Sequence, residues 1–179
     1  ERVASISADM VELEGGERLD ADLVVAGIGV LPRTALAEAA GLKVDNGVWV
    51  SDTLETSVSG IYAAGDIACG PDPLSGERVR IEHWTVAQRQ GQRAARNILG
   101  AEDTRAAVPF FWSQHYDIGI NYVGHATHWD RIETDGAPAA HDFTARFIAG
   151  GHALAVATIF RDRESLEAEA KMEARIRSR

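Results

Sequence analysis

Three short stretches carry residue types that could hold or tune a ligand. Ile61-Tyr62-Ala63-Ala64-Gly65-Asp66 is an apolar run that narrows to small residues and then presents a carboxylate. Ala63, Ala64 and Gly65 would let a ligand's backbone or sugar chain approach closely. A carboxylate just past the carboxyl end of a strand stands where ligands bind in open α/β sheets, and the oxygens of Asp66 would accept hydrogen bonds from hydroxyls. The plainer reading, a buried strand closed by a capping Asp, stands beside that one. Glu82-His83-Trp84 opens a helical stretch. The partial positive charge of a helix N-terminus stabilises negative charge on a ligand, while core packing for Trp84 and a polar cap for His83 are the plainer alternatives. Pro109-Phe110-Phe111-Trp112-Ser113 is an aromatic cluster, and a Trp offers a planar ring system both a flat apolar face and one N–H donor.

Other chemistries lack their residues. Cys69 is the only cysteine, so there is neither an internal disulfide nor a Cys-x-x-Cys pair, and a reducing, cytoplasmic setting is expected. His115, His125, His128, His141 and His152 show no compact metal-binding spacing, so no metal is expected, and no Ser/His/Asp triad signal is present. Gly27-Ile28-Gly29 is not a dinucleotide fingerprint, because Pro32 follows where a third glycine is needed for helix packing. A formal net charge of -9 argues against a general binder of nucleic acid or membrane surfaces. No apolar run approaches the roughly 20 residues that cross a bilayer. The sequence opens Glu1-Arg2-Val3-Ala4, without an initiator Met or a basic-plus-apolar leader. One stretch is locally basic: Arg78, Arg80, Arg89, Arg93, Arg96 and Arg105 face only Glu82, Glu102 and Asp103. It reads either as a solvated helix face or as a docking patch for an acidic partner.

The elements that must position these residues fall into three segments. In residues 1–31, strands are expected at 3–7, 10–13 and 23–28, with a turn at Gly15-Gly16; the last is a nearly unbroken apolar run, as in a strand buried on both faces and joined to sheet neighbours that the sequence does not supply. Residues 32–108 read as α/β. A short helix over 34–40 stops at Gly41, strands are expected at 49–50 and 61–64, and a Pro/Gly-rich loop follows at 70–76. A helix over 82–99 then ends at Gly100, and Gly91 in its middle weakens it by about 1 kcal/mol relative to Ala unless close packing requires the glycine. In residues 109–179, strands are expected at 118–123 and 131–134. Alternating runs through Phe143, Ala145 and Phe147 and through Ala153, Ala155, Ala157 and Ile159 are joined by a Gly150-Gly151 hairpin. A final helix over 164–176 would be capped by Asp162. Hairpin-linked strands followed by one helix indicate a small α+β domain.

Thr56 followed by Ile61-Tyr62-Ala63-Ala64-Gly65-Asp66 resembles the second FAD motif of the pyridine nucleotide-disulfide oxidoreductases. The segment from Asp22 to Pro32 resembles the place where that family's NAD domain returns to its FAD domain. Pro109 to Ser113, then Tyr116-Asp117 and Tyr122-Val123-Gly124-His125-Ala126, resemble the C-terminal domain of its ferredoxin/rubredoxin reductase and apoptosis-inducing-factor-like branch. Gln114-His115 departs from the Asp that many relatives carry after Trp-Ser. The resemblance covers nearly the whole chain. It implies an α/β fold: the second half of an FAD-binding Rossmann-like domain plus a C-terminal α+β domain with an antiparallel sheet. Residues 1–31 would end the NAD(P)-binding domain, 32–108 belong to the FAD-binding domain, and 109–179 form the C-terminal reductase domain. Gly65, Asp66, Glu82, His83, Trp84, Ala87, Phe111 and Trp112 would bind the cofactor, with no catalytic acid or base among them, since FAD carries the redox chemistry. The implied flow is from NAD(P)H through FAD to a ferredoxin- or rubredoxin-type protein. Both phosphate-binding glycine fingerprints would lie in an N-terminal half absent from this sequence, which leaves the isolated chain inactive. The resemblance leaves a homodimer open. It also leaves an apoptosis-inducing-factor-like interaction protein or a non-catalytic fragment as alternatives.

Overall fold

A computed structural model describes residues 1–104 and 107–178. The chain divides into two compact units, Glu1–Leu31 and Pro32–Arg179. In the first, β1 (Val3–Ile6), β2 (Met10–Leu13) and β3 (Arg18–Asp20) form an antiparallel meander. Gly16, at φ +84°, takes the left-handed conformation that closes the β2–β3 turn. β3 has no apolar run to betray it; the turn places it against β2. The strand expected at 23–28 does not form. Leu23, Val25 and Ile28 are 81%, 86% and 94% exposed. A strand needs a neighbour to satisfy its N–H and C=O groups, and among the described residues no strand pairs with this segment.

In the second unit, α1 (Ala35–Ala39) stops before Gly41, whose φ is +72°. Four short strands, β4 (Val44–Asp45), β5 (Gly47–Trp49), β6 (Ala68–Pro71) and β7 (Arg78–Arg80), make a sheet in that order, with only the β5–β6 pair parallel. α2 (Trp84–Ile98) packs Ala94 into a core with Val50, Leu54 and Ala68. The strand expected at 61–64 is a second correction. That segment is extended, but the Ala63 N–H donates to Leu54 O at 3.1 Å and the Thr56 N–H to Ile61 O at 2.8 Å, so its backbone is tied to the neighbouring loop and joins no sheet. Tyr62 makes a single isolated bridge to Glu55.

The remaining strands are β8 (Phe110–His115), β9 (Ile118–Gly124), β10 (Arg131–Ala137), β11 (Asp142–Ala149) and β12 (His152–Ile159), in one antiparallel sheet of order β10-β11-β12-β9-β8. Gly150 and Gly151 both have positive φ, 54° and 78°, as a two-residue hairpin turn requires. α3 (Asp162–Arg177) lies on β9 and β12. Beneath it, Val123, Leu154, Val156 and Met172 form the core, joined by Leu74 and Val108 from the preceding region. Asp162 does not cap α3. Arg161 holds that position, and the Asp162 carboxylate lies in the first turn and accepts a hydrogen bond from Asn121 Nδ2 at 2.8 Å. None of the helices among the described residues is long and apolar enough to cross a membrane.

Candidate functional site

A 3-10 turn, Gly65–Ile67, follows the extended segment and carries the first expected pair. Gly65 has φ +79°, and a Cβ there would meet the Cβ of Ala87 at 3.4 Å, so the turn sits tightly on α2. Its N–H donates to Gln90 Oε1 at 2.8 Å. Gln90 is one helical turn beyond Ala87 on the same face; the sequence reading passed over it, and that spacing is the signal that could have found it. Asp66 is exposed. Its backbone carbonyl accepts from Arg80 Nη1 at 3.0 Å, and its carboxylate takes no hydrogen bond or ion pair among the described residues.

Glu82 and His83 precede α2; they are not inside it. The Glu82 carboxylate pairs with Arg80, so it is not a free negative charge at the helix start. His83 occupies the N-cap position, but its side chain makes no capping bond. Its ring lies on Phe111 instead, with centroids 4.4 Å apart. Nδ1 is buried without a partner. Burial pushes the His83 pKa down and the neighbouring His125 pushes the same way, against the pull of Asp66 and Glu82. The imidazole is therefore held toward its neutral form. The Ala87 N–H is bonded back to His83 O at 2.9 Å, and the amides of the first turn ahead of it have no acceptor within the helix.

The aromatic residues divide between two faces of β8, as the alternation of a strand requires. Phe111 stands opposite Tyr122 in the β8–β9 ladder, with rings 5.3 Å apart. Tyr122 leads on to Phe147 at 6.0 Å, and Phe147 to Trp129 at 5.0 Å. Burial raises the Tyr122 pKa, outweighing a backbone hydrogen bond from Ala126, so the phenol stays neutral. On the other face Trp112 meets Trp84, with ring centroids 6.2 Å apart, and Phe110 at 6.0 Å. Trp84 is 73% exposed and Trp112 51%. Neither is a core residue. The structure thus joins Gly65 to Ala87, His83 to Phe111 and Trp84 to Trp112, while Glu82 turns to Arg80.

Most arginines of the basic stretch have partners within the fold. Arg78 lies over the Trp49 ring at 4.4 Å and donates to Val50 O and Cys69 O. Arg89 pairs with Glu169 at 3.1 Å, Arg96 pairs with Asp103 at 3.3 Å, and Arg93 is buried. Arg105 lies outside the described residues. Cys69 is a buried free thiol whose pKa is raised, chiefly by burial. Among the described residues no cluster of His, Cys, Asp and Glu could hold a metal ion.

Residues 1–91 match the pyridine nucleotide-disulphide oxidoreductase family, and residues 110–179 match the reductase C-terminal family. The chain is 41% identical over 159 residues to the ferredoxin–NAD(+) reductase component of the anthranilate 1,2-dioxygenase system of Burkholderia cepacia, covering 88% of this chain and 39% of that protein. It is 42% identical over 148 residues to putidaredoxin reductase of Pseudomonas putida, covering 83% of this chain and 35% of that one. The crystal structure of the covalent putidaredoxin reductase–putidaredoxin complex superposes with a TM-score of 0.86 at 40% identity, over 93% of this chain and 40% of the matched chain. The chain thus spans roughly two fifths of these proteins' lengths. With half its length matched by the family and the fold shared with its members, the chain belongs to the pyridine nucleotide-disulphide oxidoreductase family.

Proposed function

We propose that this chain is the C-terminal part of an FAD-dependent oxidoreductase that passes electrons from NAD(P)H to a ferredoxin- or rubredoxin-type protein. The observation that carries the reading is the pair of exposed rings, Trp84 and Trp112, side by side at the N-terminus of α2. Exposed apolar side chains are informative when they adjoin as a patch, and a planar ring system is the shape that two such neighbouring faces accept. The residues present fit FAD on three further counts: a Gly65 turn free of a Cβ, an unengaged Asp66 carboxylate, and a positive helix end.

Bound FAD supplies the exchange between a two-electron donor and a one-electron acceptor. In this reading Asp66 accepts hydrogen bonds from cofactor hydroxyls, and Gly65 and Ala87 let its chain approach. The amides opening α2 would stabilise negative charge on a bound flavin, and Trp84 and Trp112 would shield its ring from water. Neutral His83, braced by Phe111, leaves the positive end of the helix without an added full charge. Glu82 acts through Arg80 by fixing the loop before α2. Divisions at residues 31 and 108, and a reducing, cytoplasmic setting suited to the unpaired Cys69, belong to the same proposal. The names of the relatives support the partner class: one is a ferredoxin–NAD(+) reductase component and one a putidaredoxin reductase.

The test is anaerobic NAD(P)H oxidation by the longer enzyme in the presence of ferredoxin- or rubredoxin-type carriers. The proposal expects stoichiometric one-electron reduction of at least one carrier. A flavin-bearing protein that reduces only small-molecule acceptors would contradict the partner class.

A further inference from the structure

The Gly65–Asp66 turn is gripped by two side chains that are not among the residues assigned to the cofactor. Gln90, on α2, takes the Gly65 N–H on its Oε1 at 2.8 Å. Arg80, on β7, donates from Nη1 to the Asp66 carbonyl at 3.0 Å. The same guanidinium donates from Nε to Asn46 Oδ1 at 3.1 Å and pairs with the Glu82 carboxylate. The Arg80 side chain is only 9% exposed. Gly47, at φ +113°, leaves the space in which it lies: a Cβ there would fall 2.7 Å from Arg80 Cδ and 2.5 Å from the Ile67 carbonyl oxygen. One cation thus joins three segments, the β4–β5 turn, the Gly65–Ile67 turn and the entry to α2.

Both grips act on one relation, that between the Asp66 carboxylate and the N-terminus of α2. Gln90 reaches the turn from α2 itself, one helical turn past Ala87, against whose Cβ Gly65 is seated. Arg80 reaches it while holding Glu82, just before α2. With the N–H of Gly65 and the carbonyl of Asp66 both satisfied, the backbone of the turn is fixed, and the carboxylate of Asp66 is presented from that fixed frame. Arg80 has a second effect. An unpaired charge on Glu82 would oppose negative charge on a ligand at the helix start, and a cation in contact with it offsets that repulsion.

We infer that Arg80 and Gln90 are positioning residues for the cofactor. They hold Asp66 in register with the first turn of α2, and Arg80 also neutralises Glu82 at the helix end proposed to face the flavin. Groups that contact a ligand keep their geometry only when a surrounding layer locks them. The inference rests on the reading of this chain as part of a flavoenzyme and adds a division of labour to it. Gln90 governs affinity alone, whereas Arg80 governs both affinity and redox potential.

The test is fluorescence titration of the longer apoenzyme with FAD, together with the midpoint potential of the bound flavin, in variants whose circular dichroism is unchanged. Gln90→Met removes the acceptor and should weaken FAD roughly tenfold, whereas Gln90→Glu, which still offers an oxygen to the Gly65 N–H, should stay within about threefold of the unaltered enzyme. Arg80→Met should weaken FAD by roughly tenfold or more and shift the potential negative, because Glu82 is left without its cation. Adding Glu82→Gln to Arg80→Met should return the potential toward that of the unaltered enzyme without restoring affinity. Arg96→Gln, which breaks an ion pair in the last turn of α2, should alter neither quantity. Full affinity in Gln90→Met, no rescue by Gln90→Glu, a potential that Arg80→Met does not lower or Glu82→Gln does not restore, or an equal loss in Arg96→Gln would overturn the inference. Should Arg80→Met not fold, the Gln90 pair decides, with a positive shift of potential expected in Glu82→Gln alone. An unaltered enzyme that binds no FAD would instead sink the flavoenzyme reading, and this inference with it.

Discussion

In the sheet of β8–β12, Val123 is wholly buried and Leu154 and Val156 nearly so, at 6% and 3% exposure, because α3 closes one face over them. On α2, only one side is covered. Val86 and Ala94 turn inward, while Trp84, Gly91, Ala95 and Ile98 line up on the outward side and stay exposed. Both regions are built by the same rule, an apolar stripe at the period of the element. They differ in whether a second layer meets that stripe. The C-terminal sheet and helix form a finished sandwich of two layers. The region before it presents an unfinished one; of the two exposed rings proposed for the flavin, Trp84 stands on that open side and Trp112 on β8 of the sheet. The closed region is built for stability, and the proposed ligand site draws side chains from both, Trp84 from α2 and Trp112 from β8.

The comparison breaks most easily in the core. Leu154→Ala should cost about 2–5 kcal/mol through lost burial and the cavity left behind, read from the urea midpoint. Ile98→Ala should change stability by about 0.5 kcal/mol or less, as at other exposed sites. Equal losses would mean that the outward face of α2 is not open. The glycines sharpen the contrast. Gly124 has φ +83°, and a Cβ there would fall 2.1 Å from the Leu154 carbonyl oxygen, so Gly124→Ala should destabilise by roughly 1–3 kcal/mol. Gly91 has nothing within 4 Å of its would-be Cβ. Gly91→Ala should stabilise the chain by about 1 kcal/mol, and a loss on thermal melting would show that close packing reserves the position.

The smallest effect is at the border of the two regions. Burial depresses the pKa of His83 below its ordinary 6.5. Between those two values the unfolded chain holds the proton and the folded chain does not, so stability falls as pH drops from about 6.5 through the lower folded pKa. His83→Gln should flatten that part of the pH–stability curve. An unchanged slope would show that His83 is not the group responsible.

These contrasts explain what could be read from sequence. β9, β11, β12 and the Gly150-Gly151 turn were legible because alternation and turn chemistry are local. The runs at 23–28 and 61–64 were misread because an apolar run reports a tendency to be buried and says nothing of a partner strand; one of them has no ladder, and the other is bonded to its own loop. β3, β6 and β7 carry no periodic signal and are fixed by turns and by parallel pairing with β5. The segments around Asp66, Trp84 and Trp112 stood out by their residue types alone. The Arg80–Glu82 pair and the His83–Phe111 contact did not, since both depend on where two loops meet. The partners of the basic stretch were not legible either, because a count of arginines is blind to the carbonyls and carboxylates that Arg78, Arg89 and Arg96 reach in the fold.

The central claim, that the open side of this region is the flavin's, rests most directly on Asp66. In the longer enzyme, the flavin-to-protein ratio after gel filtration should be measured for Asp66→Ala beside the unaltered protein. Losing charge-assisted hydrogen bonds, each worth about 1.5–3 kcal/mol, should weaken FAD roughly tenfold or more and leave the variant largely colourless with its circular dichroism unchanged. A folded Asp66→Ala enzyme that keeps its full complement of FAD would contradict the account.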